Sequence, residues 1–200
     1  IDGAVAWLNS PPLTADQLRG KVILVDFWTY SCINCIRSIP YVRAWHEAYA
    51  DDGLVVIGIH APEFAFERDP DNVRKAVADL GIRHPVALDN KLVVWTALKN
   101  NYWPAHYFID AEGRIYLGTG DGIFDPGNRR LGNGIVAVKI DAKKQLQLVD
   151  FFGAPNANWL WRRDLDINVT PVAIDYRGRK FLVATSKECR LWLLDRDSVD

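Results

Sequence analysis

The sequence has little of several features that mark specialised classes of protein. Its 200 residues include no methionine and only three cysteines, too few for a scaffold built by disulfide bonds. The formal net charge of −1 gives no support for a nucleic acid or an anionic membrane as partner. The longest apolar runs, at residues 22–25 and 54–59, fall far short of the ~20 residues that a membrane-spanning helix needs. We therefore expect no nucleic-acid partner and no membrane insertion by this chain.

The composition indicates a chain that folds around an apolar core. Apolar residues make up 49% and charged residues 24%, which is typical of globular proteins. Because the chain begins at Ile1 and lacks methionine, we expect it to be part of a longer reading frame. A leader, a membrane anchor or an upstream domain would then lie outside this sequence.

The first 118 residues alternate between strand-like and helix-like segments. Apolar, β-branched runs predict strands at residues 21–28, 54–59, 86–88, 105–110 and 114–117. Helical patterns and turn residues predict helices over 33–50 (with Pro40 inside), 71–80 and 91–99. This order predicts an α/β fold whose first strands are parallel and whose last two form an antiparallel hairpin.

The pattern changes after Gly118. Turn residues are dense over 118–122 and 125–128, and no convincing amphipathic helix follows. Short strands are predicted at 135–140, 146–152, 172–175, 180–185 and 190–194. We therefore predict a domain of residues 1–118 and a β-rich segment of residues 119–200, with the boundary near 118–122.

Cys32 and Cys35 form a C-x-x-C pair after the first long strand and at the start of a predicted helix. Such a pair is a redox dithiol, half of a zinc site, or a coincidence. No second pair completes four zinc ligands, so no metal is expected, and Ile36 in place of histidine excludes a heme attachment motif. A helix N-terminus stabilises a thiolate, which favours the redox dithiol. Cys32 would attack, and Cys35, one turn into the helix, would resolve the mixed disulfide.

Several motifs, in the expected order, resemble the thioredoxin superfamily. They are the active-site segment 25–35, the helix proline Pro40, a cis-proline loop at 102–105 and a terminal hairpin at 110–114. Residues 18–21 and the additional β-α unit 51–89 resemble the TlpA/ResA-like branch, an AhpC/TSA-type redoxin. Residues 60–66 resemble the thioredoxin domain of DipZ/DsbD-type membrane electron carriers. The resemblance spans about residues 4–118 and implies a thioredoxin fold with a TlpA-like β-α insertion.

The resemblance also implies roles for individual residues. It makes Cys32 the nucleophile and Cys35 the resolving thiol. Asp26 matches a buried carboxylate beneath the dithiol, which would take the Cys35 proton through water. Pro104 is predicted to be cis, which would leave the backbone of Trp103 free to pair with an extended substrate.

Other candidate residues have ordinary structural alternatives. Trp28 and Tyr30 would line the groove around Cys32, or simply pack in the core. Glu63 would lie near the dithiol, or be a solvated loop acid. His106 follows the predicted cis-proline by two residues and could face either side of its strand.

Residues 115–200, approximately, resemble part of a β-propeller of the PQQ-type quinoprotein family. The matching segments are 134–141, 164–166, 171–178 and 185–196, which would form at most two blades. A propeller closes with ~4–8 blades, so we expect no quinone cofactor and no other cofactor. The chain is a piece of a larger thioredoxin–propeller fusion, or a chimera, or its tail packs on the thioredoxin core as a small sheet.

The sequence predicts a thiol–disulfide oxidoreductase that acts on protein disulfides outside the cytoplasm. Cytochrome c maturation or disulfide reduction is the expected setting, with a membrane-bound or soluble thiol as electron donor. A redox-inactive binding or scaffold module of a thioredoxin–propeller fusion is the alternative. A peroxiredoxin is disfavoured because Val25 stands where its motif has proline, and copper delivery because the cysteine spacing is one residue short.

Overall fold

In the computed structural model, the residues described are 3–119, 123–128, 130–132, 134–141, 146–153, 171–185 and 190–198. The chain divides into two units, Ile1–His106 and Tyr107–Asp200. This division follows contacts in space, whereas the predicted boundary near residues 118–122 follows a change of composition along the chain. The domain boundary therefore stays a prediction.

The first unit is built on a mixed sheet. Its strands are β1 (Ala6–Leu8), β2 (Val22–Trp28), β3 (Leu54–His60), β4 (Val86–Leu88) and the start of β5 (Ala105–Ile109). They lie in the order β1-β4-β3-β2-β5, with β2, β3 and β4 parallel and β1 antiparallel to β4. Nearly all of β2 is buried, as expected for a parallel strand with both faces covered. The predicted parallel strands are thus confirmed.

Among the described residues, four α-helices and a 3-10 turn (Ala65–Arg68) accompany these strands. The α-helices are α1 (Ala15–Leu18), α2 (Ile33–Tyr49), α3 (Pro70–Asp79) and α4 (Val93–Ala97). Helix α2 begins after Cys32, continues through Pro40 and buries Cys35, Ile39 and Val42 at the spacing of one helix face. Asp69 caps α3 through its carboxylate, and Pro70 takes the first helical position, which tolerates proline. Both helices pack into one apolar cluster with Trp28.

Helix α4 is shorter than the segment 91–99 that the sequence predicts. Leu92 has φ 54°, in the left-handed region, and therefore cannot extend the helix backwards. The carboxylate of Asp89 accepts the free N–H groups of Val93 and Trp95 at 2.7 and 2.8 Å. A side chain from the preceding loop thus fixes where the helix starts.

The second unit is all-β among its described residues, apart from a short 3-10 turn at Pro126–Asn128. Its strands are the end of β5, β6 (Arg114–Thr119), β7 (Phe124–Asp125), β8 (Arg130–Leu131), β9 (Gly134–Ile140), β10 (Leu146–Gly153), β11 (Val172–Tyr176), β12 (Arg179–Thr185) and β13 (Leu191–Asp195). The order β5-β6-β9-β10 forms an antiparallel sheet, β11-β12-β13 forms another, and β7 pairs with β8. The predicted hairpin of β5 and β6 is confirmed.

The two larger sheets of this unit share a core. Tyr116, Ile135 and Ala137 from one sheet meet Leu182 and Leu194 from the other. The opposite face of β11-β12-β13 carries exposed apolar side chains, which are Val172, Ile174, Tyr176, Leu191 and Leu193. The resemblance to propeller blades stays a prediction, and residues 164–166 and 186–189 of its motifs lie outside the described residues.

Candidate active site around Cys32 and Cys35

The two thiols differ sharply in exposure. Cys32 is the N-cap residue of α2 and is half-buried, whereas Cys35, one turn further, is 0% exposed. The N–H of Cys35 donates to Cys32 Sγ at 3.2 Å, so the sulfur occupies the place of an ordinary N-cap acceptor. This arrangement suits a thiolate on Cys32, because helix N–H groups and the helix dipole stabilise negative charge there.

The environment of Cys35 keeps its thiol protonated. Burial raises the pKa of Cys35, and its hydrogen bond with Cys32 raises the pKa further. A hydrogen bond with the backbone of Thr29 opposes these effects, while the charges of Cys32 and Asp26 add to them. Cys35 therefore needs a nearby proton acceptor before it can attack a sulfur.

Asp26 lies on β2 with only 1% of its surface exposed. Its Oδ1 atom is 3.2 Å from Nε2 of His106, which answers the question that the sequence left open about the side His106 faces. His84 is a further neighbour; burial lowers its pKa to about 4, although the charge of Asp26 acts in the opposite direction. The carboxylate thus lies within electrostatic reach of both Cys35 and two histidines.

The loop before β5 contains the cis peptide bond that the resemblance implies, between Trp103 and Pro104. Both residues are half-buried. The indole N–H of Trp103 donates to the carbonyl of Ala61 at 3.0 Å, and its ring lies 4.2 Å from that of Trp95. Trp103 also packs against the cluster that contains Cys35, so the loop borders the dithiol.

The two aromatic candidates of the active-site segment, Trp28 and Tyr30, differ in their exposure to solvent. Trp28 is 0% exposed and meets the ring of His60 edge-on at 5.2 Å. Its side chain therefore packs in the core instead of lining a groove, because a substrate cannot reach it. Tyr30 is half-buried, stacks on His60 at 5.7 Å and donates its hydroxyl to the carbonyl of Phe66 at 3.0 Å.

In the loop between β3 and α3, the side chain of Glu67 contacts the active-site segment. Glu63 is exposed and contributes only its backbone N–H, which donates to Glu67 Oε2 at 2.6 Å. Glu67 is 0% exposed, and its carboxylate accepts the hydroxyl of Ser31 at 2.5 Å and the N–H of Phe64 at 2.9 Å. Sequence reasoning missed Glu67. The sequence carries only half of a capping-box signal, a glutamate three residues after Phe64, because Phe64 has no side-chain oxygen to complete the box.

Burial alone would raise the pKa of Glu67, but the hydrogen bonds lower it overall. The donors are the hydroxyl of Ser31 and the backbone N–H groups of Phe64 and Glu63. Glu67 is therefore a charged carboxylate in the interior at neutral pH.

The described part of the chain has neither a metal site nor a membrane-spanning helix. It contains no group of three or more histidine, cysteine or acidic side chains placed to hold a metal ion. No helix within these residues is both long and apolar enough to cross a bilayer.

Two comparisons with solved structures agree with the fold. A thioredoxin-like protein, solved in solution in its oxidised form, superposes with a TM-score of 0.52 at 25% identity, covering 80% of this chain and 86% of that one. A thiol-disulfide isomerase from Corynebacterium glutamicum gives 0.50 at 23% identity, covering 56% and 78%. The thioredoxin fold implied by the sequence motifs is confirmed.

Sequence relatives match the same region. Protein DipZ of Mycobacterium bovis is 54% identical over 127 residues, 60% of this chain but 18% of DipZ. NHL repeat-containing protein 2 of Homo sapiens is 37% identical over 112 residues, 54% of this chain and 15% of that protein. The chain thus spans less than a fifth of the length of these relatives.

A shorter relative is matched over most of its length. The thiol-disulfide oxidoreductase YkuV of Bacillus subtilis is 33% identical over 116 residues, 58% of this chain and 77% of YkuV. The family model described as AhpC/TSA matches residues 9–117, which is more than half of the chain and includes Cys32 and Cys35. By this match and by its thioredoxin-like fold, the chain belongs to the AhpC/TSA family.

Proposed function

We propose that the protein is a thiol–disulfide oxidoreductase whose redox-active dithiol is Cys32 and Cys35. The observation that carries the proposal is the hydrogen bond from the Cys35 N–H to Cys32 Sγ at the start of α2. It gives an accessible sulfur a partner that stabilises its thiolate, with a second, buried sulfur one helical turn away. The relationship to YkuV supports the same activity.

The reaction proceeds in two exchanges. The Cys32 thiolate attacks one sulfur of a substrate disulfide, that S–S bond breaks, and one substrate thiolate leaves and takes a proton from solvent. Cys35 then loses its proton towards Asp26 and attacks Cys32 Sγ, which releases the second substrate thiol. The substrate gains two electrons, and the protein is left with a Cys32–Cys35 disulfide.

The substrates in this proposal are protein disulfides. The Trp103–Pro104 loop borders the dithiol, and its backbone would pair with an extended segment of the substrate. A membrane-bound or soluble thiol would reduce the protein again. The resemblance to the TlpA/ResA/DipZ branch supports the further proposal that the reaction takes place outside the cytoplasm, in cytochrome c maturation or disulfide reduction.

A redox-inactive binding module of a longer protein is the second candidate. Two observations favour it. The relatives DipZ and NHL repeat-containing protein 2 are five or more times longer than the matched region. The face of β11-β12-β13 that carries Leu191 and Leu193 is exposed and apolar, as a surface that contacts another domain would be.

Equilibration in graded thiol/disulfide buffers, followed by alkylation and mass spectrometry, decides between the two. An oxidoreductase requires Cys32 and Cys35 to titrate together as a two-electron couple. A midpoint of about −270 mV would make the protein a reductant, and one of about −120 mV would make it an oxidant. A pair that never closes would leave the binding module as the function.

A further inference from the structure

Glu67 connects two loops at the entrance to the dithiol. On one side it accepts the Ser31 hydroxyl at 2.5 Å, and on the other the N–H groups of Glu63 and Phe64 at 2.6 and 2.9 Å. We propose that Glu67 is a positioning residue for the proposed oxidoreductase activity: its carboxylate holds the segment before Cys32 so that the attacking sulfur stays at the helix N-terminus. The inference rests on the proposed function and assigns Glu67 no contact with substrate.

The burial of Glu67 argues that the carboxylate is there to bind donors. A charged group with no exposed surface is unfavourable unless hydrogen bonds replace its water. Here side chains and backbone groups of both loops do so, and the pKa of Glu67 is lowered despite burial. An apolar residue would fill the space, but it could not hold both loops together.

The residues that Glu67 holds lie directly before the nucleophile. Ser31 adjoins Cys32 in the chain, and the carbonyl of Thr29 accepts the Cys32 N–H at 3.3 Å. The carboxylate therefore restrains Ser31, and with it the turn from Thr29 to Cys32 that sets the position of Cys32 Sγ.

The same two loops have a second connection that does not involve Glu67. The Tyr30 hydroxyl donates to the carbonyl of Phe66, and the Tyr30 ring stacks on His60. We therefore expect variants at Glu67 to keep the fold of the loops while loosening the segment around Ser31. This separation makes a positioning role testable.

The experiment measures the second-order rate at which Cys32 attacks a small aromatic disulfide reagent at fixed pH, together with the midpoint potential of the pair. Glu67→Ala is expected to lower the rate about tenfold, because a small displacement of a reacting atom is enough for such a loss. Glu67→Gln is expected to recover most of it, since its oxygen accepts the two N–H groups and its NH₂ donates to Ser31 Oγ. Glu47→Gln, an exposed change on α2, is the matched control and should react like the parent protein.

Ser31→Ala removes the same hydrogen bond from the side of its exposed donor, and it leaves the buried Glu67 carboxylate in place. It is expected to slow Cys32 as Glu67→Ala does, and the double variant should be no slower than either single one. A parental rate and potential in folded Glu67→Ala or Ser31→Ala protein would overturn the inference. Failure of the proposed function is distinguishable, because the parent protein itself would then show no coupled titration of Cys32 and Cys35.

Discussion

His106 Nε2 lies 3.2 Å from Asp26 Oδ1, and the two side chains differ in exposure. Only 2% of the Asp26 side chain is accessible, against 22% for that of His106. Asp26 is close enough for its charge to raise the pKa of Cys35. The pair therefore links the interior thiol with a side chain that reaches solvent, which is what a proton leaving Cys35 requires.

Replacing Asp26 with asparagine should slow the second exchange and leave the first unchanged. Asparagine keeps the shape but cannot accept the Cys35 proton, and loss of a proton acceptor typically lowers a rate by about 10²-fold or more. Stopped-flow measurement of the disappearance of the mixed disulfide gives the rate. His106→Gln should show a smaller loss in the same step.

The control for this prediction is the initial attack by Cys32, measured in a Cys35→Ser background where the mixed disulfide accumulates. Asp26→Asn should leave that rate at the parental value. An equal slowing of both steps would show that the substitution disturbs the site in general and not the proton transfer.

The stability of the protein should fall as the pH is lowered from about 6.5 towards 4. Burial lowers the pKa of both His60 and His84 from 6.5 to about 4. Within this window the unfolded chain binds a proton at each position and the folded protein does not, so protonation favours unfolding. The free energy of unfolding should fall by up to about 1.4 kcal/mol per pH unit for each histidine.

Urea unfolding at pH 7.5, 6.5, 5.5 and 5.0 tests this dependence. The slope should decline through pH 6.5 and be nearly absent at pH 7.5, where both histidines are neutral in the folded and in the unfolded chain. His84→Gln should remove about half of the slope below that value, because only His60 then titrates in this way. A free energy of unfolding that stays constant from pH 7.5 to 5.0 would contradict the assignment of two neutral buried histidines.

Gly58→Ala should destabilise the first unit by about 1–3 kcal/mol, the usual effect of overfilling a packed core. Gly58 pairs with Asp26 in the sheet, and an added Cβ would lie 3.0 Å from Trp28 Nε1 and 3.3 Å from His84 Nε2. Chemical denaturation followed by tryptophan fluorescence measures the change. Gly127→Ala is the matched control, since its Cβ would meet nothing closer than 3.6 Å, and an equal loss there would refute the steric explanation.

Asp110→Asn should destabilise the second unit by about 3 kcal/mol, as expected when one partner of a buried ion pair is removed. The buried carboxylate contacts Arg114 Nε at 2.8 Å and accepts the Tyr116 hydroxyl at 3.0 Å. The free energy of unfolding reports the effect. Glu112→Gln, at a half-exposed partner of Arg114, should change it by less than about 1 kcal/mol. Similar losses in both variants would mean that burial of Asp110 is not what matters.

The sequence predicts those elements whose signal is local. The buried strand β2, helix α2 and the hairpin of β5 and β6 follow from apolar patterns and turn residues, and the structure has them within a few residues. The sequence does not predict strand β1, because its three residues form a strand only by pairing with β4, some eighty positions later. The sequence pattern predicts that helix α4 starts at residue 91, but the Asp89 carboxylate sets its start at Val93.

In the candidate site, too, the features that depend on local sequence can be predicted and those that depend on distant residues cannot. The spacing of Cys32 and Cys35 at a helix start is visible in the sequence, and their different exposure follows from it. The role of Glu67 is not visible, since its burial depends on a loop that folds back onto Ser31, 36 positions earlier. Trp28 was open to two interpretations because strand pattern alone does not say whether an aromatic side chain at the end of β2 meets solvent.

Trp28 and Trp103 belong to the same apolar cluster as Cys32 and Cys35. Disulfides quench indole emission at short range, whereas thiols quench it much less. The intrinsic tryptophan fluorescence of the protein should therefore change when the Cys32–Cys35 bond closes or opens, and no added label is needed. Each turnover could then be followed in real time in unmodified protein.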